Sequence, residues 1–96
     1  MRLIWSPESQ RNLLGIREFI GAEASASRAD EMIERIRAAA RLLMTVPRAG
    51  RKVQPENSDN LRVMRARPFW IYYRISADAI EVAAVVHYRQ QQSERW

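Results

Sequence analysis

Ninety-six residues with 47% apolar content suffice for one domain with a buried core, too few for two, and argue against wholesale disorder. The chain has no cysteine, which excludes disulfides and thiolate metal sites and makes a reducing cytoplasm the natural setting. Its net charge of +5 favours an anionic partner, nucleic acid or acidic protein, and no apolar run reaches the roughly 20 residues of a membrane helix.

The charge is unevenly placed. Residues 1–47 hold seven basic and six acidic side chains, residues 48–74 seven and two, and residues 75–96 two and three. The whole excess therefore lies in the middle segment. Lys52 is the one lysine; every other cation is arginine, which suits bidentate recognition of phosphate or carboxylate. A GC-rich genome produces the same bias, so composition alone leaves both readings open.

The N-terminus "MRLIWSPESQ" lacks a long apolar segment with a small-residue cleavage site, so no signal peptide is expected. "RLIW" (2–5) is a strand candidate. "SPES" then announces a helix: Ser6 can cap it, Pro7 fits its first position and Glu8 suits its positive end. Leu13, Ile16 and Ile20 follow at helical spacing, and Gly21 can end the element, which predicts a helix over 7–20.

"AEASAS" (22–27) reads as a small-residue turn with two possible caps, Ser25 and Ser27. Ala29, Met32, Ile33, Ile36, Ala39, Ala40 and Leu43 then recur every three or four positions, and Pro47 stops the pattern. This predicts a second helix over 25–45, lying against the first as an antiparallel hairpin. Residues 47–60 read as a long loop, of the kind often used for function.

Strands are expected at 61–66, 69–75 and 80–87, with breaks at Pro68 and at 76–79. A two-residue turn at Ala77-Asp78 would pair Ile75 with Ile80, Arg74 with Glu81, Tyr73 with Val82 and Ile71 with Ala84, although Ala-Asp is not the best type I′ turn and a three-residue loop stays open. Phe69, Ile71, Tyr73, Ile75, Ile80, Val82, Ala84 and Val86 would then share an apolar face for the helices. Trp70, Tyr72, Arg74, Glu81, Val85 and His87 would form the other face. The polar tail 88–96 ends on Trp96, expected to pack. The fold class is α+β, one domain over 1–96: an N-terminal strand, a two-helix antiparallel hairpin, then a three-stranded antiparallel meander forming one sheet with the helices on one face.

Most familiar chemistry is absent from the sequence. The three glycines form no phosphate-cradling loop, no serine lies in a nucleophile elbow, and one histidine without cysteine builds no ordinary zinc site; no cofactor and no metal are expected. What stands out is "LRVMRARPFWIYYR" (61–74), with four arginines and four aromatics, followed by "HY" at 87–88. Arg65 and Arg67 can clamp a phosphate or accept an acidic protein segment. His87 or Tyr88 can act as general acid or base, or His87 can serve only as a hydrogen-bonding group at a strand end.

The ordered set "WSPESQRNLLGIREFI", "RADEMIERIRAAARLLMTVPRAGR", "LRVMRARPFWIYYRI" and "IEVAAVVHYR" covers nearly the whole chain and resembles the RelE/ParE superfamily of bacterial toxins from type II toxin–antitoxin modules. The long second helix, the "AGR" loop and the chain beyond Tyr88 make it look more like ParE than RelE. The ParE resemblance implies a non-enzymatic, cytoplasmic poison of DNA gyrase that inhibits bacterial growth and stabilises plasmids. The RelE alternative implies a ribosome-dependent mRNA endoribonuclease, with Arg65, His87 and Tyr88 as its candidate catalytic residues. Either way the resemblance implies a cognate antitoxin encoded by an adjacent gene, in a hetero-oligomeric complex, with operator DNA contacted only through the antitoxin and no membrane involved. Arg62, Arg65, Arg67, Trp70, Tyr72 and Arg89 are the candidate antitoxin- or target-binding residues.

Overall fold

The computed structural model describes residues 1–54 and 60–89. Strand β1 (Arg2–Trp5) leads into helices α1 (Pro7–Glu23) and α2 (Ala26–Thr45). A 3₁₀ turn at Pro47–Ala49 follows, then β2 (Arg51–Lys52), β3 (Arg62–Ala66), β4 (Phe69–Ile75) and β5 (Ala79–His87). The strands form one sheet in the order β1-β5-β4-β3-β2, antiparallel except that β1 runs parallel to β5.

Each helix starts on a serine. The Ser6 hydroxyl accepts from the Ser9 amide at 3.0 Å, and Ser25, the cap actually used in the "AEASAS" turn, accepts from the Arg28 amide at 3.0 Å. Helix α1 passes through Gly21 and ends at Glu23 rather than at Ile20; Gly21 keeps a negative φ, and the Ala24 amide closes the last turn on the Ile20 carbonyl. Helix α2 stops where Pro47, which has no N–H, enters the chain.

Both helices pack on one face of the sheet. Ile36, Ala40 and Leu43 of α2 meet Ile71, Tyr73, Ile80 and Val82 of the strands, all fully inaccessible. The expected loop at 47–60 holds more order than its composition suggests. Gly50 leads directly into the two-residue β2, whose Arg51 and Lys52 pair with Val63 and Arg62, and the Val53 amide donates to the Leu61 carbonyl at 2.9 Å. Two residues carry no readable period, so this edge strand had no signal in the sequence.

The β4–β5 register agrees with expectation for Ile75–Ile80, Arg74–Glu81 and Tyr73–Val82, and then departs from it. Ala83 is an extra residue in β5, so Tyr72 faces Ala84 and Ile71 faces Val85 instead of Ala84. Beyond the bulge the two faces exchange. Val85 is buried in the core, whereas Ala84 and Val86 are only half-buried. His87 pairs with the buried Phe69 and therefore lies on the helix side of the sheet, not on the opposite face. The physical reason lies at the N-cap of α1: the Ser6 hydroxyl donates to the Ala83 carbonyl at 2.9 Å, giving a partner to a backbone group at the irregularity. The tail from residue 90 onward, including Trp96, lies outside the described residues.

Candidate functional site

The sheet face away from the helices carries a mixed row of charge and rings. Arg65 stands opposite Trp70, which stands opposite Val86; in the next row Arg51 faces Val63, Val63 faces Tyr72 and Tyr72 faces Ala84. Arg51 and Arg65 are exposed, and Trp70 and Tyr72 are half-buried. The Tyr88 ring tilts against Trp70 with centroids 5.0 Å apart. Its hydroxyl is buried and has no hydrogen-bond partner among the described residues.

Ion pairs among the described residues engage Arg2, which pairs with Asp78, and four arginines of the helical hairpin, but not Arg35 or Arg37 of α2. On the helical hairpin, Arg11 pairs with Glu8, Arg17 with Asp30, Arg28 with Glu31 and Arg41 with Glu34. Arg48, Arg51, Arg65 and Arg67 have no carboxylate partner among the described residues. The ion pairs are exposed and individually weak, so they matter for surface potential rather than stability.

Of the sequence-predicted binding residues, Arg65, Trp70 and Tyr72 share the outer face, and Arg67 is exposed in the β3–β4 turn, where the Arg67–Pro68 bond is cis. Arg62 stands apart from them. It pairs with Tyr73 on the helix side and its guanidinium donates to the Gly50 carbonyl at 2.6 Å. The three candidate catalytic residues do not converge: Arg65 lies on one face of the sheet and His87 on the other. His87 packs edge-on against Phe69 with centroids 5.6 Å apart, and its Nδ1 accepts the Arg89 amide at 3.0 Å.

His87 and Arg89 belong instead to an open groove of about 720 Å³ between α1 and the end of the sheet. Ile16, Phe19 and Ile20 form its helical wall, and Phe69 lies in the opposite one. Phe19 and Leu14 are more than half exposed on α1. Both fall outside the Leu13-Ile16-Ile20 stripe that marks the core; apolar residues off that stripe are the sequence signal that would have singled them out. Among the described residues no helix is long and apolar enough to cross a membrane, and no group of His, Cys, Asp or Glu could hold a metal ion.

Several solved chains share this fold. A chain of the chromosomal ParDE TA system from P. aeruginosa superposes with a TM-score of 0.77 at 18% identity, covering 91% of this chain and 95% of that one. The YoeB/ParE toxin from Agrobacterium tumefaciens superposes with a TM-score of 0.59 at 22% identity, covering 91% and 98%. At these identities the likeness speaks for the fold alone. No curated protein matches the sequence. The family model for the ParE toxin of the type II toxin–antitoxin system, parDE, matches residues 3–92, and the chain belongs to that family of toxins.

Proposed function

We propose that this toxin inhibits bacterial growth by poisoning DNA gyrase without catalysing a reaction, and that a cognate antitoxin from an adjacent gene neutralises it. The observation that carries this reading over a ribonuclease is the separation of Arg65 from His87 by the sheet itself. A nuclease site needs its acid–base group and its phosphate-binding cation within reach of one phosphodiester. Tyr88 remains on the Arg65 side, but its hydroxyl is buried.

In this reading the outer face with Arg51, Arg65 and Trp70 meets the target, where arginine and tryptophan are the usual energetic anchors. The groove beside α1 receives the antitoxin, as an amphipathic helix laid against Phe19 and Ile16. Purified toxin should inhibit gyrase supercoiling or trap cleaved DNA, and co-expression of the neighbouring small reading frame should restore growth. Ribosome-dependent mRNA cleavage with unaffected supercoiling would replace this reading by the RelE-like one.

A further inference from the structure

The geometry points to Tyr73 as a positioning residue that, through its buried hydroxyl, holds the Pro47–Gly50 segment against the sheet and so fixes the direction in which Arg48 and Arg51 are presented. This rests on the reading that the unpaired arginines face the target.

The Tyr73 ring is fully buried, and packing alone would be served by phenylalanine. A buried hydroxyl is unfavourable unless its hydrogen-bonding capacity is used. Here both roles are used, and both are directed at the same segment. The hydroxyl donates to the Pro47 carbonyl at 2.7 Å and accepts the Gly50 amide at 2.9 Å. Arg62 then takes the Gly50 carbonyl at 2.6 Å. The approach is close enough that only glycine fits: a Cβ on residue 50 would stand 2.6 Å from the Val63 carbonyl oxygen and 2.8 Å from the Tyr73 hydroxyl.

What the clasp holds is specific. Arg48 lies between its two anchored residues, and Arg51 follows the second directly. Arg51 then pairs with Val63, which places it on the outer face in register with Tyr72 and near Arg65. Among the described residues Arg48 and Arg51 have no carboxylate partner, whereas Arg11, Arg17, Arg28 and Arg41 of the helical hairpin are paired in place. A segment serving only to join α2 to the sheet has no use for contacts that orient two free cations. Preorganisation of this kind reduces the ordering cost of binding a polyanion or an acidic surface.

The test is a double-variant cycle read on immobilised heparin, a polyanion that reports the cluster directly, alongside gyrase inhibition. Tyr73→Phe and the Arg48→Ala/Arg51→Ala pair should each lower the salt needed for elution, and the variant combining them should elute no earlier than the arginine pair alone. Inhibition of supercoiling should fall several-fold in each and show the same lack of additivity. Gly50→Ala, which keeps every charge, should also elute earlier, and it decides the matter if Tyr73→Phe does not fold. Wild-type elution of folded Tyr73→Phe, or of Gly50→Ala in its place, overturns the proposal, as do losses that simply add. A non-additive heparin cycle from a wild-type protein that leaves gyrase untouched would sink the gyrase reading and keep the positioning role.

Discussion

The side-chain oxygen of Asn12 accepts the backbone amide of Val85 at 2.9 Å, tying the second turn of α1 to the strand just past its bulge. With the Ser6–Ala83 bond, this anchors the irregular part of β5 at two points on one helix. Asn12→Ala should therefore leave a buried N–H without a partner and cost about 1–3 kcal/mol. Asn12→Asp keeps an acceptor at the same place but sets a second carboxylate against Glu8, to which Asn12 donates at 3.1 Å, so it should recover only part of the loss. Urea denaturation of the two variants measures the difference.

The bulge also makes a prediction about neighbours. Val85 is 1% exposed and Val86 half-buried, although alternation from the start of the strand assigns them the other way. Val85→Ala should destabilise the fold by roughly 2 kcal/mol, and Val86→Ala by about 0.5 kcal/mol or less. Ile71→Ala, in the centre of the core, should cost roughly 2–5 kcal/mol. Equal losses at 85 and 86 would show that the bulge does not persist in solution.

The two surfaces should separate in function. Arg65→Ala and Trp70→Ala should keep the wild-type melting temperature within a few degrees and weaken gyrase inhibition by about 1–2 kcal/mol, roughly tenfold. Phe19→Asp should weaken antitoxin binding and leave gyrase inhibition near wild type. Supercoiling assays and antitoxin titrations on the same preparations check both. Loss of inhibition in His87→Ala at full folding would argue against the division drawn here.

A modest pH dependence is expected from the N-terminal turn of α1. Hydrogen bonds from Arg11 and then Asn12, with the Arg11 charge, hold the exposed Glu8 carboxyl below its ordinary value. A lowered folded pKa stabilises the protein above the unfolded pKa, and that contribution disappears as pH falls through the folded value. The melting temperature of Glu8→Gln should thus lie below wild type at neutral pH and converge with it in acid.

Much of this architecture was legible in the sequence. Ser6-Pro7 and Pro47 mark a helix start and a helix stop through backbone chemistry that acts locally, and the Ile75–Ile80 end of the hairpin follows from local pairing of apolar and charged residues. The faces of Arg65 and Trp70 follow from simple alternation on unbroken strands. His87 was misplaced because the bulge before it is held by Ser6 and Asn12, residues with no local trace in β5; their bonds span 77 and 73 positions. The Tyr73 clasp was hidden for the same reason, since Tyr73 reads as one more apolar residue until the Pro47–Gly50 segment is folded over it.

The parallel pairing of β1 with β5 sets an order of events during synthesis. Arg2 pairs with Ala79 and Trp5 with Val82, so among the described residues β1 finds its one sheet neighbour in β5. A nascent chain can form the helical hairpin early, from local contacts, but cannot close its sheet until β5 has emerged from the ribosome. A chain terminated before residue 79 would lack this neighbour altogether and would leave an open strand edge and part of the core uncovered.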